Sequence, residues 1–289
     1  MAEHTGVPTP EESGLDEDAA AHVPGLGGEL RVDEVAAYLE RIDHPALDAP
    51  DLANLASLQD AHVRTVPFEN LDIHLGRPLS LAIPALFDKV VHQRRGGFCF
   101  ELNGLFAALL CALGYTAWLV EARTVEDDGQ LGPRFDHARI IVLLDEEPWL
   151  VDVGTGASPR GPIRLTEQVQ VVGHVRHRVR GHDDRYRSEQ LDDEAWTPGW
   201  TFDLHPRELD EFRDRCTYHQ TSPESHFTQK PLCTLVTEGG HLTLSDRMLI
   251  TTRNGHRTEE EVEDPLTELD TRFGIAIPRW PGSREQRRG

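Results

Sequence analysis

Arg94-Arg95-Gly96-Gly97-Phe98-Cys99-Phe100-Glu101-Leu102-Asn103 sets a cysteine between a glycine turn and the start of an apolar helix. From Leu102 the apolar residues fall at Leu102, Leu105, Phe106, Leu109, Leu110 and Leu113, a helical stripe for which Gly114 supplies the C-terminal cap. Cys99 is therefore expected near the helix N-terminus, where unpaired N–H groups and the positive end of the helix dipole favour a thiolate. Arg94 and Arg95 stand just before the turn and add positive charge. Most unpaired cysteines are inert packing residues, and that is the expectation for Cys111, Cys216 and Cys233, which lack both the glycine turn and the basic run. For Cys99 the local sequence argues for a nucleophile.

Outward from this stretch, residues 1–28 mix Glu, Asp, Gly, Pro and Ala without an apolar period and read as an acidic, mobile tail. Asp33 is expected to cap a helix carrying Val35, Ala36, Leu39 and Ile42, and a second helical pattern through Leu52, Leu55 and Leu58 stops before Pro67. After Gly114 the spacing changes to short β-prone runs at Ala117 to Val120, Ile140 to Leu144 and Trp149 to Val153. Arg176 to Glu194 reads as a long charged hairpin or loop, His205 to Arg215 as a connecting helix, and Leu232 to Val236 and Leu242 to Leu249 as further strands. Gly282 to Gly289 reads as a frayed end.

A chain of 289 residues, 38% of them hydrophobic, can bury a full core. Its four cysteines form no CxxC pair, no basic-then-apolar leader is legible, and no apolar run approaches the roughly 20 residues of a membrane-spanning helix. A reducing cytoplasm is the expected location. The net charge of −21 argues against nucleic acid or an anionic membrane as partner.

A cysteine nucleophile needs a nearby base, and the base needs a third group to fix its tautomer. Of fifteen histidines, His137 stands out because the run Ile140 to Leu144 would hold it rigidly at a strand end, with His241 as the runner-up. Asp152 is the candidate acid, since a carboxylate inside Trp149-Leu150-Val151-Asp152-Val153-Gly154 is costly unless paired. Triads are recognised by geometry, so spacing alone leaves these assignments open. His174, His177 and His182 fit no standard zinc spacing and sit among Arg176, Arg178 and Arg180, so no metal is expected there.

Three motifs in order, Pro67-Phe68-Glu69-Asn70-Leu71-Asp72, Arg94 to Asn103 and Asp152-Val153-Gly154, resemble the arylamine N-acetyltransferase family. Weaker similarity runs through Phe202-Asp203-Leu204, Thr221 to Phe227 and Leu242-Thr243-Leu244. The resemblance implies an α+β fold in three parts: a helical bundle at 29–115 with Cys99, a β-barrel at 116–205 with His137 and Asp152, and a connecting helix and α/β lid at 206–289. It also implies a catalytic triad of Cys99, His137 and Asp152, acetyl-CoA as acetyl donor and an arylamine or arylhydrazine as acceptor, with the acetyl group carried on Cys99. Small residues at Gly154-Thr155-Gly156 would let backbone N–H groups approach the CoA pyrophosphate, although an aromatic residue commonly stands in the family where Thr155 stands here. Phe68 and Phe227 are similar to family positions lining the acceptor pocket, with core packing as the alternative. Arg94 and Glu69 are expected to pair and brace the site.

The same motifs also resemble amide synthases that release or cyclise a polyketide chain, which acetyl-CoA use would separate from the leading reading. A thiol hydrolase, turning over with water and no amine, and a non-catalytic binding module are the other two readings that the residues admit.

Overall fold

The computed structural model describes residues 28–126, 129–182, 184–192 and 195–281. The tail expected at residues 1–28 lies outside them except for Gly28, as does the end from Gly282.

The N-terminal part is helical. Helices α1 (Val32–Arg41) and α2 (Leu52–Thr65) pack around a third, longer one. Asp33 is not the cap of α1: Arg31 holds that position, with Glu34 reaching back to its backbone N–H at 2.8 Å, and Asp33 sits in the first turn. Asp51 caps α2 by accepting from Asn54 N–H at 2.8 Å. His62 of α2 is buried, bonded to Tyr38 Oη at 3.1 Å and tilted on the Phe106 ring at 4.9 Å. The two-residue strand β1 (Phe68–Glu69) and short helices α3 (Leu71–Leu75) and α4 (Ile83–Phe87) follow, with a π-helical turn at Asp88–His92.

Helix α5 (Cys99–Ala112) starts at the cysteine. Its residues from Cys99 to Leu110 are all buried, because helices cover one side and the barrel the other. Leu113 ends it, and Gly114 takes a left-handed φ of 90°, the conformation the sequence stripe required.

The barrel is one eight-stranded sheet: β2 (Thr116–Thr124), β3 (His137–Leu144), β4 (Glu147–Val151), β5 (Ile163–Arg164), β6 (Gln170–Val172), β7 (Val175–His182), β8 (Arg185–Asp192) and β9 (Ala195–Phe202). Strand order is β5-β4-β3-β2-β9-β8-β7-β6, antiparallel throughout, and Val179 N–H donating to Thr166 O at 2.8 Å helps draw its two ends together. The charged Arg176 to Glu194 stretch is thus two barrel strands, β7 and β8, with apolar Val179 and Tyr186 packed inward.

The connecting helix begins later than expected. A short 3-10 turn at Leu209–Phe212 leads into α6 (Arg213–Thr221), since Pro206 keeps the preceding residues extended. The lid sheet then forms from β10 (Leu232–Thr237), β11 (Gly240–Ser245), β12 (Met248–Arg253) and β13 (His256–Glu261), closed by α7 (Pro265–Phe273). The Leu242 to Leu249 run is two strands, divided at Asp246 with φ 50°. Strand order in this sheet is β1-β10-β11-β12-β13, so β1 of the helical part is the lid's first strand. Among the described residues no helix is long and apolar enough to cross a membrane.

Candidate active site

The glycine turn reaches Cys99 by a close backbone approach. Glu69 N–H donates to Gly97 O at 2.8 Å, and a Cβ on Gly96 would lie 1.8 Å from Pro67 O, so the chain here must be glycine. A Cβ on Gly97 would meet Glu101 Oε2 at 2.8 Å. That oxygen accepts from Phe98 N–H at 3.1 Å and so caps the helix on which Cys99 is the first residue.

A buried row of alternating charges braces this turn. Arg95 reaches Glu69 Oε1 with Nε at 3.0 Å and Nη2 at 2.7 Å, and Asp72 Oδ1 with Nη1 at 3.0 Å. Lys89 Nζ bridges Asp72 Oδ2 at 3.0 Å and Glu101 Oε1 at 2.8 Å. The partner of Glu69 is therefore Arg95, not Arg94, which is exposed and turned outward with φ 51°. Asn70 ties the same motif to the lid approach: its Nδ2 donates to Phe227 O and Lys230 O, both at 3.0 Å, and its Oδ1 accepts from Leu232 N–H at 2.7 Å.

His137 begins β3, and Asp152 follows the end of β4, which pairs with β3. His137 Nε2 donates to Asp152 Oδ2 at 2.8 Å, with both residues almost wholly buried. Trp200 of β9 stacks on the imidazole, ring centroids 4.3 Å apart and planes 23° from parallel. Asn103, one turn along α5 from Cys99, locks helix to barrel: Nδ2 donates to Ala138 O at 2.7 Å and Asp152 Oδ1 at 3.0 Å, and Oδ1 accepts from Val153 N–H at 2.9 Å. Arg139 Nε donates to Asp152 Oδ2 at 2.9 Å. Burial alone would raise the Asp152 carboxyl; the charges of His137 and Arg139, with hydrogen bonds from His137 and Asn103, instead hold it well below the ordinary carboxylate range.

Burial, and next the negative charge of Asp152, push the Cys99 thiol well above its ordinary value. The expected aid from the arginines is missing, since Arg95 is spent on carboxylates and Arg94 faces outward. Burial and the Asp152 carboxylate thus oppose a thiolate at Cys99, against whatever the helix dipole contributes.

Gly154 is tightly placed: a Cβ there would fall 2.4 Å from Asn103 Nδ2 and 2.8 Å from Cys99 Cα. Its N–H is held by Asp152 Oδ1 at 2.9 Å, and the N–H of Thr155 by Ser158 Oγ at 2.9 Å. Both groups expected to face a pyrophosphate are thus used within the loop, and Gly154 has a packing reason of its own. Phe68 and Phe227 are half-buried and face each other at 6.1 Å, with Phe98, beside Cys99, 5.4 Å from Phe227.

Two connected clefts lie on this side of the barrel, and the smaller one reaches Asp152. One of about 580 Å³ lies between barrel and lid sheet, lined by Ala157, Ser158, Arg160, His174, His177 and His241 among others. His241, the alternative base, is on lid strand β11, across this cleft from His174 in the β6–β7 turn of the barrel. The other, of about 200 Å³, is lined by Arg139, Asp152, Ser188 and Trp200, and shares Ala157, Pro159, His177 and Gln190 with the first. The side chain of His182 is outside the described residues.

Sequence reasoning missed Asn103, Arg139, Trp200 and the bonds of Asn70. Asn103 and Arg139 had a legible signal: each is polar inside a stretch otherwise patterned for burial.

Residues 51–280 match the family described as N-acetyltransferase. The arylamine N-acetyltransferase of Mycolicibacterium smegmatis is 35% identical over 267 residues, covering 88% of this chain and 96% of that protein. The Salmonella typhimurium arylamine N-acetyltransferase structure superposes with a TM-score of 0.81 at 30% identity, over 86% of this chain and 94% of that one. The Mycobacterium marinum arylamine N-acetyltransferase solved in complex with CoA gives 0.77 at 32% identity, over 83% and 92%.

Proposed function

The chain belongs to the arylamine N-acetyltransferase family and is an acyltransferase, and from that premise we propose that Cys99, His137 and Asp152 carry an acetyl group from acetyl-CoA to an arylamine or arylhydrazine. The observation that carries the reading is the buried His137–Asp152 pair at 2.8 Å, joined through Asn103 to the helix that begins at Cys99.

In the first half-reaction Cys99 gives its proton to His137, whose Nε2 is bonded to Asp152 and whose other ring nitrogen is assigned to the thiol in this reading. The thiolate attacks the thioester carbonyl, the C–S bond to CoA breaks, and the proton on His137 leaves with the CoA thiol. In the second, the amine nitrogen attacks the acetyl carbon on Cys99 while His137 takes its proton; the bond to Cys99 breaks and that proton returns to the thiolate. Backbone N–H groups beside Cys99 are the proposed oxyanion donors. The raised thiol fits this scheme, because the nucleophile exists only while His137 holds its proton.

The donor is read as acetyl-CoA because a relative of the same fold was solved with CoA. It would approach along the Gly154-Thr155-Gly156 loop, whose Thr155 lines the 200 Å³ cleft beside Asp152. Phe68 and Phe227 are assigned to the acceptor ring, supported by their contact beside Phe98. Residues 29–115 bring the nucleophile, 116–205 the base and acid, and 206–289 the cover; a reducing cytoplasm suits the free thiol this chemistry requires.

Intact mass after incubation with acetyl-CoA and no amine tests the reading, with Cys99→Ala alongside. One acetyl gain on the parent only, discharged by an arylamine, is expected. A folded parent that gains nothing would overturn acetyl-CoA as donor and favour the amide synthase reading.

A further inference from the structure

Arg139 lies two residues beyond His137 on β3, so both side chains stand on one face of the strand. Its Nε donates to Asp152 Oδ2 at 2.9 Å, the oxygen that also accepts from His137 Nε2 at 2.8 Å. Nη1 donates to Ser188 Oγ at 2.8 Å, and the guanidinium is 5.7 Å from the centre of the Phe202 ring. It is only 5% exposed, so solvent does not screen its charge from the carboxylate. An acid that orients a catalytic histidine needs one donor on this oxygen. Here it has two, and one is a permanent cation.

We propose that Arg139 is a positioning residue that divides the charge of Asp152 between its own guanidinium and His137, biasing the site toward the amine-accepting half of the reaction. The inference rests on the roles of Cys99 and His137 proposed above. The two half-reactions make opposite demands on the imidazole. Before acylation it must take and keep the proton of Cys99, which the full charge of a carboxylate would favour. On the acyl-enzyme it must be free to take the proton of the amine, which a guanidinium on the same oxygen favours. Arg139 also fixes where the carboxylate points, because Ser188 Oγ anchors the far side of its fork.

Other charged and titratable groups stand around this pair: Asp136, next to His137, is held by Arg215 at 2.8 Å and His219 at 3.6 Å from α6, and Glu121 of β2, opposite Ala138, is held by Arg134. Cys99 faces it from α5, and across the 200 Å³ cleft stand His177 of β7 and Glu189 of β8, the latter held by Arg178 Nε at 2.6 Å. All are retained in the variants below, so their contribution cancels in the comparison.

The test uses the full chain with Arg139→Met and Arg139→Lys. Two pH profiles are read by mass: alkylation of Cys99 in the free enzyme, and discharge of the acetylated enzyme by an arylamine. Arg139→Met is expected to move the acid limb of discharge up by about one pH unit, the size typical of removing a charge at this range, and to move the acid limb of Cys99 alkylation up with it while raising the alkylation rate on its neutral plateau, because the neutral pair shifts toward imidazolium and thiolate. Arg139→Lys is expected to return both limbs toward the parent. A folded Arg139→Met with both limbs unmoved, or a Lys variant that shifts as Met does, overturns the proposal. Should Arg139→Met fail to fold, Arg139→Gln keeps a donor without the charge, and the same two limbs decide. A parent that never takes an acetyl group fails the triad reading itself; a parent that acetylates while the variants' limbs stay put fails only the role of Arg139.

Discussion

Replacing Asn103 by Ala should loosen the joint between the nucleophile's helix and the base's barrel. Asn103 is fully buried and makes three hydrogen bonds, to Ala138 O, Asp152 Oδ1 and Val153 N–H. The truncation leaves Ala138 O without this donor and Val153 N–H without this acceptor, while Asp152 Oδ1 keeps Gly154 N–H at 2.9 Å. Each orphaned buried group costs about 1 to 3 kcal/mol, and the lost bond to a charged acceptor about as much. Allowing for partial relaxation, the expected loss is about 4 kcal/mol, a large share of the roughly 5 to 15 kcal/mol that holds a typical domain folded. The assay is the urea midpoint at neutral pH, read with the slope m to confirm that the unfolded state is unchanged. Acetylation of Cys99 should slow about 100-fold, because Asp152 and His137 are no longer registered against the helix. A folded variant that loses less than about 1 kcal/mol and acetylates within twofold of the parent would refute the claim that Asn103 is the tie.

Gly154→Ala adds a single methyl group that would fall 2.8 Å from Cys99 Cα, backbone that cannot step aside cheaply. We expect a loss of about 1 to 3 kcal/mol in thermal unfolding together with most of the transferase activity, and a variant with the parent's melting temperature and rate would show the seam to be loose. For pH, burial, then the charge of Arg41, push the His62 imidazole down to about 3. Below the ordinary imidazole value of about 6.5 the unfolded chain therefore binds a proton that the folded chain refuses, and stability falls as pH drops from there toward 3, by about 1.4 kcal/mol per unit. Between pH 6.5 and 5 the parent should lose about 2 kcal/mol more than His62→Leu in urea midpoints, whereas equal losses would remove His62 as the cause.

The parts legible in the sequence are those with one clear period. The α5 stripe, the Ile140 to Leu144 run and the Leu52 to Leu58 helix signal are local and appear where expected. Strand β13 escaped because its residues are all exposed and carry no alternation, although Asn254-Gly255, with φ of 50° and 79°, is a hairpin turn signal that could have revealed it. The later start of α6 went unseen because Cys216 and His219 bury one short face that offers little apolar rhythm. Which arginine meets Glu69 depends on a backbone turn at Arg94 with positive φ, invisible to spacing. The joint made by Asn103 needs the register of β3 on β4, a long-range property no local pattern encodes.

Strand β1 pairs Phe68 with Thr234 and Glu69 with Cys233, so the edge that carries Glu69 and the aromatic face of the site waits for chain made far later. On a ribosome that interval is about 165 residues, roughly 10 to 30 s at typical elongation rates. Once Glu101 has been made, the buried ion row beside Cys99 has its helical half but lacks the strand that seals it. The nascent enzyme thus carries its nucleophile in an unfinished frame for nearly half of its synthesis, and truncated chains ending before β10 have no route to a closed site.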